Sequence, residues 1–187
     1  MKSYFLMDIR CELIELMSNR FYENFSAIAS AKVLEMGAIE VLYQLATDNS
    51  LQLPKSKKQA VLFRSAYTLE YIYFNHRELF TPFIERFCSD FSSCKSESAK
   101  RHFAKMMSDI LKYHTPTTEQ MESIAETVAC WISDPKTKVA VKIWAMSILK
   151  SLRNKVEWID DIWNDLENVV TQNATPGILL RLKRGWE

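Results

Sequence analysis

Apolar residues recur at helical spacing from the start of the chain. Leu6, Ile9, Leu13, Leu16 and Met17 fall three or four apart, which places them on one face of a helix. Two N-terminal helices are predicted within residues 4–36, and Gly37 reads as their stop. Beyond it the pattern becomes periodic. Helical segments of a first kind are predicted to begin near Ala38, Arg77, Thr117 and Glu157, at intervals of 39, 40 and 40. Segments of a second kind are predicted near Lys55, Ser96, Lys136 and Pro176, at intervals of 41, 40 and 40. Two helices per unit of this length are the mark of an α-solenoid. The expected fold is therefore all-α, with antiparallel helix pairs stacked in a single domain over 1–187. Residues 1–37 would form an N-terminal helical cap and residues 38–187 about four pairs.

Punctuation agrees with the periodicity. Asp48-Asn49-Ser50 with Pro54 marks a turn. Thr81-Pro82 and Thr115-Pro116 place a hydroxyl cap before a proline suited to a first helical turn. Asp134-Pro135 and Thr175-Pro176 separate the helices of the third and fourth pairs. The third pair reads Asp134-Pro135, Val141-Lys142, then Ala145, Leu149 and Leu152, and it resembles the HEAT repeat. The second keeps Lys100-Arg101, Ala104, Met107 and Leu111, and the first keeps Phe63-Arg64 with Tyr67 in the alanine position. Lys95-Ser96-Glu97-Ser98-Ala99, Ala129-Cys130-Trp131-Ile132 and Val156-Glu157-Trp158-Ile159 are similar to segments of a family of small HEAT-like proteins of Bacteroidetes whose members often carry an adenylosuccinate lyase label. The lyases' serine-rich signature, S-S-x-M-P-x-K-x-N, has no counterpart here. Adenylosuccinate lyase activity is therefore not expected.

Charge sorts with helix type. The second helices carry net +3 over residues 55–74, +3 over 95–114 and +6 over 136–155. The first helices carry −2, −1, −4 and −5 over 38–54, 75–94, 115–135 and 156–174. The overall net charge of +1 conceals this division. At 100° per residue Arg101, Lys105 and Lys112 fall within about 40°, Lys138, Lys142 and Arg153 within about 60°, and Lys57 and Arg64 about 20° apart. The HEAT resemblance implies that second helices line a concave face. That face would then carry Lys57, Arg64, Arg101, Lys105, Lys112, Lys138, Lys142 and Arg153. A basic stripe is the footprint expected for an acidic partner, either a nucleic-acid backbone or an acidic protein.

Composition narrows the function classes. Only three glycines occur, too few for phosphate loops or dinucleotide turns. The four cysteines form no C-x-x-C pair and read as small buried hydrophobes of a reducing cytoplasm. His76, His102 and His114 show no ligand spacing, so neither a metal nor a cofactor is expected. His76 and His114 suit helix C-termini, and Asp160-Asp161 with Asp165 suit a helix start. Trp131, Trp144, Trp158 and Trp163 are expected in the core. With no secretory signal and no run of about 20 apolar residues, the sequence reads as cytoplasmic with no membrane partner. The leading reading is a non-enzymatic binding or scaffold module without catalytic residues. The alternative is a HEAT-like DNA glycosylase of the alkylpurine type or a non-specific DNA-binding protein. The second helices hold only Glu70, Glu97 and Asp109 as acids, and none matches a catalytic motif.

Overall fold

The computed structural model describes residues 2–19, 22–172 and 174–186, with side chains from Met7 onward, so the side chain of Leu6 lies outside the described residues. The described residues contain helices and no strand. The chain divides into two compact units, residues 1–83 with 93–102, and residues 84–92 with 103–187.

The first unit is built on a long helix. Helices α1 (Lys2–Ser18), α2 (Phe25–Glu35) and α3 (Ile39–Thr47) each pack on α4 (Lys55–Asn75). Along α4 the buried positions Val61, Leu62, Ser65, Ala66, Leu69, Ile72 and Tyr73 recur at helical spacing. Leu13 and Met17 of α1, Val33 of α2 and Leu42 of α3 are fully buried. Gly37 ends α2 with φ +59°. Its N–H donates to Leu34 O at 3.0 Å, and that of Ala38 donates to Val33 O at 2.9 Å. These two bonds satisfy carbonyls that the helix end leaves open, in a backbone conformation that glycine adopts without steric cost.

The segment predicted to start near Arg77 is broken rather than continuous. It comprises α5 (Arg77–Phe80), a 3-10 turn (Thr81–Phe83), α6 (Ile84–Asp90) and a second 3-10 turn (Phe91–Ser93). Pro82 lies in the first turn, where a missing N–H interrupts an α-helical ladder. Phe80 is buried edge-on to Tyr73 with centroids 5.4 Å apart. Helix α7 (Glu97–Ile110) follows, starting one residue past Ser96.

In the second unit α8 (Thr118–Ser133) packs on α9 (Val139–Leu152), and α10 (Trp158–Thr171) packs on both. Helix α11 (Pro176–Lys183) follows α10. Ala145, Ile148, Leu149 and Leu152 of α9 are fully buried. The cap of α8 is Thr117, not Thr115, and Pro116 precedes the cap. Thr117 Oγ1 accepts from Gln120 N at 3.2 Å, while Gln120 Oε1 accepts from Thr117 N at 2.8 Å. This reciprocal pair satisfies two donors at the helix start. Helix α9 begins at Val139, three residues later than the Lys136 start, because Asp134 Oδ1 accepts from Lys136 N at 2.8 Å and holds a turn there.

Two other expectations need correction. Cys88 is buried and Cys94 half-buried, but Cys11 and Cys130 are exposed. Trp131 and Trp163 are buried, whereas Trp144 and Trp158 are only half-buried. Trp158 keeps its indole N–H within reach of Glu122 Oε2, to which it donates at 2.8 Å. No described helix is long and apolar enough to cross a membrane.

Candidate functional site

The eight predicted basic residues divide into cations that hold the fold together and cations that face solvent. Arg64, on α4, is half-buried and belongs to the first group. Its Nη1 donates to the carbonyls of Met17, at 2.8 Å, and of Asn19, and its guanidinium lies 5.7 Å from the Phe25 ring centre. It thereby serves carbonyls at the end of α1 that have no acceptor role inside that helix. Burial lowers the Arg64 pKa from its ordinary value. Lys57 pairs with Glu15 at 3.3 Å. Arg101 is exposed on α7.

In the second unit Lys142 donates to Ile132 O at 2.6 Å, which caps the last turn of α8. Arg153 pairs with Asp160, and its guanidinium sits 4.8 Å from the Trp163 ring centre. Lys105 is half-buried, whereas Lys112 and Lys138 are exposed. Lys112 pairs with Asp109 at 3.1 Å.

The acids of the basic helices are similarly engaged. Glu97 pairs with Lys100, and Asp109 with Lys112. Glu70 is buried on α4, with its Oε2 2.5 Å from Nδ1 of the buried His102. An ionised Glu70 can only accept, so that contact requires His102 Nδ1 to carry the proton and donate. The rings of Phe63 and Tyr67 lie 5.4 and 5.1 Å from the His102 ring. These rings flank the imidazole, and both members of the Glu70–His102 pair are buried.

A cavity of about 580 Å³ opens in the second unit between α7, α9 and the chain end. Lys112, Lys150 and Arg181 bring cations to its wall. Trp144 and Trp186 supply indoles, and Ser108, Ser147 and Ser151 supply hydroxyls. Among the described residues no carboxylate lines it. The guanidinium of Arg181 stacks on Trp144 at 4.6 Å from the ring centre.

The C-terminal turn closes this cavity, and the sequence reading omitted its key residue. Gly185 has φ +64° and donates to Leu182 O at 2.9 Å, while Trp186 N donates to Arg181 O at 2.7 Å. These are the same two closing bonds seen after Gly37. The turn buries Trp186 to 1% exposure. Ser147 Oγ donates to Trp186 O at 2.6 Å, and the Trp186 indole donates to Glu167 Oε1 at 2.8 Å. The pointer in the sequence was the glycine just past the last helix, followed at once by an aromatic residue. No protein-family profile, curated protein or solved structure matches the chain.

Proposed function

We propose that the chain is a non-enzymatic binding module whose helix pairs are HEAT-like solenoid repeats and whose basic second helices hold an acidic partner. The supporting observation is the division of charge by helix type, net +6 over residues 136–155 against −4 and −5 over the flanking segments. Random solvation of helix surfaces would mix the signs within each helix. The mechanism is electrostatic positioning, with Arg101, Lys112 and Lys138 as the exposed cations of the predicted set. The glycosylase reading needs a carboxylate beside an aromatic on the binding surface. Glu70, on a basic helix, is buried with His102, whose ring lies beside those of Phe63 and Tyr67.

Binding of duplex DNA, single-stranded RNA and polyglutamate, measured across salt concentrations, tests the proposal. Each duplex phosphate neutralised contributes about −0.9 to the slope of log affinity against log salt. Arg101→Glu combined with Lys138→Glu weakens binding and flattens that slope while leaving the helical signal unchanged. Absence of binding to all three polyanions overturns the module.

A further inference from the structure

The cavity of the second unit differs in kind from a basic surface stripe. Its volume of about 580 Å³ falls in the range of small-molecule sites, roughly 300–1,000 Å³. A surface stripe reads a backbone, whereas a cavity of this size admits one compact ligand. Its wall combines three cations with an accessible, half-buried indole. Cations alone would favour any anion. The hydroxyls of Ser147 and Ser151 donate to Trp186 O and Ser147 O, so toward a ligand their oxygens act as acceptors.

The geometry is held in place from several directions. Ser147 ties the Trp186 carbonyl to α9, and Glu167 ties the Trp186 indole to α10. A β-carbon placed on Gly185 would lie 3.5 Å from Lys150 Nζ, so the chain turn itself borders that cation. Arg181 reaches the cavity from α11, with its planar head supported by Trp144. A guanidinium supported on an indole is a flat cationic platform, and planar bases stack on aromatic and guanidinium planes. Asp109 pairs with Lys112, and Glu167 accepts from the Trp186 indole.

We propose that this cavity binds a nucleotide unit, with its phosphate among Lys112, Lys150 and Arg181 and its base against the Trp144–Arg181 stack. The assignment goes beyond the macromolecular reading, since it would hold for a free nucleotide even if no polymer bound the basic helices. The same chemistry can come from a free mononucleotide or from one unit of a single strand.

The test titrates the full chain with AMP and UMP, with adenosine and uridine, with inorganic phosphate, and with a short 5′-phosphorylated single-stranded oligonucleotide. Tryptophan fluorescence and calorimetry report saturation. The expected result is saturable binding of the mononucleotides, with adenosine, uridine and inorganic phosphate each weaker by about tenfold or more, since each lacks half of the recognised group. Equal affinity for mononucleotide and oligonucleotide marks the free compound as sufficient. Binding of the oligonucleotide alone marks a strand unit. Either result supports the site if it is lost in the variants. Lys150→Gln and Arg181→Gln should each weaken binding about tenfold or more. Lys32→Gln, on α2 and outside both the cavity and the basic set, should leave mononucleotide binding unchanged. Circular dichroism on each variant separates lost binding from lost folding, and Lys150→Gln provides a second reading should Arg181→Gln unfold α11. Failure of both the mononucleotides and the oligonucleotide to saturate overturns the proposal. So does binding that survives both cavity variants, or a nucleoside that binds as well as its phosphate. Salt-dependent polyanion binding by a protein that fails these tests would leave the module reading intact.

Discussion

Arg64 is the residue whose predicted and observed settings differ most in consequence, and Arg64→Met separates them. Methionine keeps an apolar stem of similar length and removes the donors. In the folded chain Nη1 donates to Met17 O and Asn19 O. Hydrogen bonds from a charged donor are worth about 1.5–3 kcal/mol each when buried. Asn19 is exposed and Arg64 half-buried, so water replaces much of the second bond and one bond's worth remains. The contact with Phe25, a ring only 1% exposed, adds about 0.5–1 kcal/mol. The expected loss is about 2–4 kcal/mol, or roughly 4–16 °C in Tm for a chain of this size. Urea denaturation followed by circular dichroism measures it. Arg64→Lys should recover part of the loss, because a single ammonium can still serve one carbonyl. A variant within about 0.5 kcal/mol of wild type, the scatter of ordinary surface substitutions, would refute the anchoring role. If that stable variant also bound polyanions more weakly, Arg64 would be a partner-facing residue after all.

Four further outcomes are expected. Leu149→Ala, at a side chain with no exposure, should destabilise by about 2–5 kcal/mol; an unchanged urea midpoint would show that α9 buries another face. Burial acts to raise the Asp48 carboxyl, but the Ser50 hydroxyl and N–H and the Arg10 guanidinium outweigh it and hold the pKa below 3.8. Ionised Asp48 therefore contributes stability above the ordinary pKa, and that contribution is lost as pH falls through the lowered value. Asp48→Asn should cost about 1 kcal/mol at neutral pH, with the gap to wild type closing below pH 3.8; a gap independent of pH would contradict the assignment. Burial pushes the Cys88 and Cys94 thiols up to about 12, while Cys11 and Cys130 are exposed. Iodoacetamide at pH 8 should label Cys11 and Cys130 in the native state, because the other two hold a thiolate fraction of only roughly one in ten thousand; mass spectrometry showing four equal rates would reject this. Purified protein should not cleave adenylosuccinate, and turnover followed by absorbance and abolished by mutation of this chain would reverse that expectation.

Much of the element order was legible because it depends on local chemistry. Helical spacing, the glycine at position 37 and the prolines together placed most of the helix starts within a residue or two of those observed. Where local signals competed, tertiary context decided. Thr115 and Thr117 are both sound caps, but only Thr117 has Gln120 three residues on, and that glutamine also donates to Ser89 Oγ at 3.0 Å. The start near Lys136 was early because Asp134 can hold a turn as readily as it can begin a helix.

The sequence by itself determined an all-helical chain with charge divided between alternate helices, since period, composition and charge count need no knowledge of neighbours. Which cations stay available was a tertiary matter. Helical angles describe a side chain's direction around its own axis, not what lies opposite. Arg64 and Lys142 sit on the basic arcs, yet α1 and α8 present open carbonyls to them, and an unsatisfied carbonyl near a cation captures it. The cavity was beyond sequence reasoning for the same reason. Lys112, Trp144, Lys150, Arg181 and Trp186 lie on two helices, the turn after α7 and a terminal turn, and only the backward bend at Gly185 carries Trp186 to Ser147 and Glu167 and closes the wall.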